Sequence, residues 1–207
     1  MTTADAIRRH TIDARSALIE SLQSLGTAAW SLPTPCEGWT TRDVLAHLVA
    51  WDALLVHPGG TGVAGAGLRW VAAMTSAWFD PNRLNRKFVE ADNRSGPELL
   101  DQFRIQLPAK PHWLFERVAP GAQLAEYVIH HYDLSVAIGV THDTPPDHVR
   151  IALEGVARVP GLHTRRLLAS NLWTAIDVDW SAGRGTPVQA EGIAILLALA
   201  GRGPEHR

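Results

Sequence analysis

The chain has 207 residues, 46% of them hydrophobic, and a formal net charge of −2. That length and composition allow one large domain, or a domain with an appendage, and exclude extended disorder. The balanced charge excludes a nucleic-acid binder driven by phosphate neutralisation, which would carry a basic excess. Cys36 is the only cysteine, so no internal disulfide forms, and the chain reads as a protein of a reducing cytoplasm. The opening residues lack an apolar stretch of the kind that leads a secretory signal. The most apolar late run, from Ile193 to Ala200, is too short to span a bilayer.

A first helix is expected over about Thr3 to Leu25. Ile7, Ile12, Ala17, Leu18, Leu22 and Leu25 form its stripe, and Gly26 stands at its C-terminal cap. After a Pro-rich loop, Thr40 or Thr41 caps a second helix that runs to about His57, where Pro58-Gly59-Gly60 stops it. Val44, Leu45, Leu48, Trp51, Leu54 and Leu55 make its apolar face, and His47 lies in the same stripe. Residues 59–67 hold five glycines and read as a crossover rather than a phosphate loop, because no Lys-Ser/Thr pair follows.

Helical stretches around Leu68 to Trp78 and Arg83 to Ala91 come next. Ser95-Gly96-Pro97-Glu98 is a capping box for a helix that ends near Gln106 or Leu107, before Pro108 and Pro111. Pro120 opens a further helix ending near Gly139, and another spans Asp147 to Arg158. A strand is expected over Ala175–Trp180, a turn over Ser181–Gly185, a second strand over Thr186–Gln189 and a last helix over Glu191–Ala200, capped by Gly201. This is a mostly helical bundle with a long connection between its second and third helices and a small α/β tail. Residues 1–140 form the bundle and 141–207 the extension.

The chemistry concentrates in the helix after Pro120. Glu126 and His130 are four apart and share one face, with Asp133 three further on. Leu124, Val128, Ile129, Leu134, Val136 and Ile138 leave this helix no clear solvent side, so it reads as buried. A buried carboxylate beside a buried imidazole needs a strong partner. A divalent metal is one, with His47 as a third ligand from another helix and an open position left for water or substrate. A buried ion pair or hydrogen bond is the other reading of the same spacing. Asp133 reads as the carboxylate that orients a metal-bound histidine rather than as a ligand. His131 points away from the stripe. His142, His148 and His163 read as surface or packing residues, and Trp39 and Trp51 as core or staple residues.

Pro35-Cys36-Glu37-Gly38-Trp39-Thr40-Thr41-Arg42-Asp43-Val44-Leu45-Ala46-His47-Leu48 resembles the opening signature of mycothiol-dependent maleylpyruvate isomerase-like proteins, within the DinB-like metal-binding superfamily. Glu126-Tyr127-Val128-Ile129-His130 with Asp133-Leu134 resembles their second signature, and Asp177-Val178-Asp179-Trp180 through Arg202 resembles their end. The resemblance implies a four-helix bundle holding a metal, usually zinc, on His47, Glu126 and His130, with nickel or iron also accepted by such a donor set. It further implies mycothiol as a thiol cofactor whose sulfur approaches the metal, and a transferase or isomerase acting on a small molecule. A zinc hydrolase using metal-bound water, or a non-catalytic, metal-stabilised binding or stress protein, are the alternatives. The isomerase itself is expected to have a fuller C-terminal domain than this chain. No nucleic-acid or membrane partner is expected, and the apolar helix leaves room for a homodimer.

Overall fold

The structure, a computed structural model, describes residues 3–55, 81–106, 119–141, 143–158 and 161–202. The expected crossover over 59–67, the helix around Leu68 to Trp78, the stop after His57 and the breaks at Pro108 and Pro111 lie outside these residues. Among the described residues the chain is mainly helical, with eight α-helices and one three-stranded sheet. It divides into two compact units, Met1–Leu18 with Val118–Arg207, and Ile19–Arg117.

The first helix, α1 (Thr3–Leu22), ends earlier than expected. Gln23 and Leu25 continue it only as turns, onto the carbonyls of Ile19 and Leu22. Gly26 has an extended backbone and opens a short 3-10 turn over Thr27–Ser31, so it is not the helix cap.

In the unit Ile19–Arg117, α2 (Thr41–Leu55) packs on α3 (Pro81–Ala91), on α4 (Gly96–Gln106) and on the 3-10 turn. Val44, Leu45, Leu48, Leu84, Leu99 and Phe103 are buried there. Thr40 is the cap of α2. Its N–H and hydroxyl donate to Asp43 Oδ2 at 3.0 and 2.7 Å, and the Asp43 N–H donates back to Thr40 Oγ1 at 3.3 Å. The expected box at α4 is present too, because Glu98 Oε2 accepts from the N–H and the hydroxyl of Ser95, both at 2.7 Å.

In the other unit, α5 (Ala122–Ile138) packs along α6 (Pro146–Arg158), and α6 packs against α8 (Gly192–Leu199). The start of α5 comes very close to α6. A Cβ on Gly155 would stand 2.5 Å from the Gly121 carbonyl carbon, so only glycine fits at that crossing. The end of α5 is a Schellman cap. Gly139 is left-handed (φ 70°), its N–H donates to Val136 O, and the Val140 N–H donates to Ser135 O.

The tail differs from expectation. A helix not expected from sequence, α7 (Leu162–Ser170), leads into β1 (Asn171–Ala175). The sheet order is β2-β1-β3. β2 (Ser181–Gly183) pairs antiparallel with β1, and β3 (Thr186–Ala190) pairs parallel to it, with Trp173 opposite both Ala182 and Val188. The strand expected over Ala175–Trp180 is a bend instead, and most of the expected turn is β2. The apparent alternation there has another cause. Ile176 is exposed, Asp177 Oδ1 accepts the Gly192 N–H at 2.6 Å to cap α8, and Trp180 turns back onto Val178 O at 2.9 Å.

Candidate metal centre

Helix α5 places Glu126, His130 and Asp133 on one face. The His130 ring is buried, and its Nδ1 lies 2.9 Å from Asp133 Oδ2. With Asp133 ionised, that contact holds the proton on Nδ1 and leaves the Nε2 lone pair for another partner. Nε2 faces Glu126 Oε2 at 3.5 Å. Two donors each about 2.1 Å from a tetrahedral zinc ion stand about 3.4 Å apart, so this pair is spaced as two ligands of one ion.

Asp133 is fully buried, and its second partner comes from the end of the chain. Arg202 Nη2 donates to Oδ2 at 2.9 Å, and Arg202 Nε donates to Oδ1 at 3.2 Å. The arginine is aimed by the end of α8. Gly201 is left-handed, its N–H donates to Ala198 O, and the Arg202 N–H donates to Leu197 O at 2.8 Å. Arg202 Nη1 also donates to Ala200 O at 2.7 Å. Gly201 therefore caps the last helix as expected. No pattern in the sequence assigned Arg202 its partner, 69 residues away.

The electrostatics follow from these contacts. Burial raises the Asp133 pKa, but the His130 and Arg202 contacts outweigh it, and the carboxyl sits below its ordinary value. Burial lowers the His130 pKa, but the neighbouring Asp133 and Glu126 carboxylates outweigh it, and the imidazole sits above its ordinary value. Two carboxylates and one guanidinium around a neutral imidazole leave a net negative site, which attracts a proton or a metal cation.

One expectation needs correction. Glu126 is not a buried carboxylate: its side chain is 49% exposed. Nor is α5 without a solvent side, since Val136 is 46% exposed. His131, set aside as pointing away from the stripe, is buried as well.

His47 lies in the other unit, buried on α2 as its apolar stripe predicts. Its ring meets Trp39 at a centroid distance of 5.1 Å and the edge of Trp51 at 6.3 Å. Trp51 is in turn held by Asn85, whose Oδ1 accepts its indole N–H at 2.8 Å, and by an edge-on contact with Phe88. The two tryptophans are half-buried neighbours of the histidine rather than plain core residues.

A family model for the mycothiol maleylpyruvate isomerase N-terminal domain matches residues 12–135. The chain belongs to this family. The matched stretch takes in His47, Glu126, His130 and Asp133 and stops short of Arg202. Two crystal structures share the fold at 16% sequence identity and a TM-score of 0.61. One is of the mycothiol-dependent maleylpyruvate isomerase, with 98% of this chain and 93% of that chain covered. The other is of a histidine-to-alanine mutant of that isomerase, with 99% and 94% covered. The expectation of a fuller C-terminal domain in the isomerase is thereby corrected, because the alignment spans nearly all of both chains. A search of curated protein sequences finds no match. Among the described residues, no helix is long and apolar enough to cross a membrane.

Proposed function

We propose that this protein is a divalent-metal-dependent enzyme that uses a low-molecular-weight thiol, mycothiol, to isomerise or transfer groups on a small electrophilic substrate. His47, Glu126 and His130 hold the metal, most naturally zinc, and Asp133 orients His130. The observation that carries this reading is the His130–Asp133 hydrogen bond, which turns the Nε2 lone pair toward Glu126. A metal-bound histidine characteristically donates its other ring N–H to a carboxylate in this way. Family membership supports His47 as the third ligand and mycothiol as the thiol.

When bound, a divalent metal supplies a Lewis-acid position at which a thiol is held as thiolate at neutral pH. The residues of this chain do the rest. Asp133 holds a proton on His130 Nδ1, so that the imidazole presents a lone pair rather than a second N–H. Arg202 neutralises Asp133 and holds both of its carboxylate oxygens in place. Glu126, half in solvent, leaves its side of the site open to water and small solutes. Cys36 is the only thiol of the chain, and the thiol of this reading is the external mycothiol that family membership supports.

The test is metal analysis of purified wild type and His130→Ala, followed by mycothiol added to the cobalt-substituted protein. About one metal per chain that is lost in the variant, with a thiolate-to-cobalt absorption band on adding thiol, is expected. Metal without the band favours the hydrolase or structural alternative. No retention at this site in wild type would overturn the reading.

A further inference from the structure

A second group of metal-ligating side chains shares no residue with the first. α1 carries His10 and Asp13 three apart, on one helix face. His148 comes from the first turn of α6, where its N–H donates to Pro145 O at 2.9 Å. In the sequence His148 has no carboxylate at helical spacing and reads as a surface or packing residue. The fold supplies that carboxylate from another helix.

The His10 and His148 rings meet edge to face, with centroids 5.2 Å apart and planes at 79°. One ligand atom from each of His10, Asp13 and His148 lies within 4.8 Å of the others. His148 is buried, His10 is half-buried and Asp13 is exposed.

We propose that His10, Asp13 and His148 form a second divalent transition-metal site, which ties α1 to α6. Two imidazoles and one carboxylate suit zinc, nickel or cobalt, whereas calcium and magnesium call for an all-oxygen set. The burial gradient suits a metal site, with a fixed buried anchor, a partly mobile second ligand and an exposed carboxylate at the entry path. Donors on one tetrahedral ion stand about 3.4 Å apart, so the 4.8 Å spread closes by small rotations of the two less buried side chains. The ligands sit on two helices far apart in sequence and not on a loop, which makes the bound ion a cross-link of the tertiary structure. The inference does not rest on the proposed enzymatic function.

The test uses the full-length protein stripped by a chelator and titrated with Zn²⁺ against a chromophoric competitor. Wild type is expected to take up two equivalents, His10→Ala one, His130→Ala one, and the double variant none. Asp13→Asn, an exposed change with no folding risk, is expected to lose the same equivalent as His10→Ala. Circular dichroism checks that each variant is folded. Equal uptake by wild type, His10→Ala and Asp13→Asn would show a packed His–His–Asp cluster without a metal and overturn the proposal. Loss of an equivalent in His10→Ala but not in His130→Ala would leave this site standing and remove the catalytic one.

Discussion

Arg202 clamps Asp133 through two donors, Nη2 to Oδ2 at 2.9 Å and Nε to Oδ1 at 3.2 Å, while the same Oδ2 contacts His130 Nδ1 at 2.9 Å. The turn after α8 therefore controls the orientation of a histidine in the middle of α5. Removing one partner of a buried ion pair leaves an uncompensated charge, so Arg202→Ala is expected to lose about 3 kcal/mol of stability. Arg202→Lys keeps the charge but not the planar fork, and is expected to lose roughly 1.5 kcal/mol, one charge-assisted hydrogen bond. Urea unfolding of the metal-free proteins measures both. Equal midpoints for all three would show that the clamp carries no stability.

Acid is expected to weaken the unit Ile19–Arg117 through Asp92. Its carboxylate accepts the Arg94 N–H at 3.0 Å and the Arg94 guanidinium, while Arg42 reaches both its backbone oxygen and, at 3.5 Å, its Oδ1. The Arg94 hydrogen bond, over the opposing effect of burial, holds Asp92 below its ordinary value of 3.8. A carboxyl depressed in the folded state stabilises the fold above its unfolded pKa, and that stability is lost as pH falls through the folded value. Stability is therefore expected to fall below about pH 4, and Asp92→Asn is expected to flatten that fall while lowering stability at pH 7. Urea midpoints measured from neutral to acid pH decide. An unchanged slope in the variant would assign the acid sensitivity to other carboxylates.

Gly155 lets the start of α5 lie directly against α6. A Cβ there would stand 2.5 Å from Gly121 C and 2.7 Å from Gly121 O and Ala122 N, all backbone atoms that cannot rotate away. Alanine normally stabilises a helix interior by about 1 kcal/mol over glycine. At this crossing overpacking reverses the sign, and Gly155→Ala is expected to be destabilised by about 1–3 kcal/mol. Thermal unfolding tests it. A raised midpoint would mean that the two helices are free to move apart.

What the sequence revealed and what it hid divide along physical lines. Local chemistry was legible: the Ser95–Glu98 box, the helix end near Gly139, the Gly201 cap and the Glu126–His130 face all depend on residues a few positions apart. Burial of His47 followed from its place between Val44 and Trp51. The Arg202–Asp133 clamp was hidden because nothing in a single chain tells which arginine meets a carboxylate 69 residues away. His148 was hidden for the same reason, its carboxylate being on α1. The segment Ala175–Trp180 misled because Asp177 faces the α8 terminus and Ile176 faces solvent, so its alternation is not that of a pleat. Glu126 misled differently, since apolar neighbours along a helix do not reveal how far its rim reaches into water.

The exposure of Glu126 separates its two roles. A half-exposed carboxylate 3.5 Å from an imidazole contributes little to folding, because solvent competes for both partners. Glu126→Gln is expected to change the stability of the metal-free protein by no more than about 0.5 kcal/mol. As a proposed ligand it bears directly on the metal. Loss of an orienting partner costs metal affinity about 10–100-fold, so loss of a ligand is expected to cost at least as much as Asp133→Asn does. Asp133→Asn should differ by lowering stability as well, since it leaves Arg202 without its ionised partner. Chelator competition and urea unfolding on the two variants give four values. Unaltered metal affinity in Glu126→Gln, with the fold intact, would remove Glu126 from the ligand set and leave the His130–Glu126 contact as an ion pair without a metal.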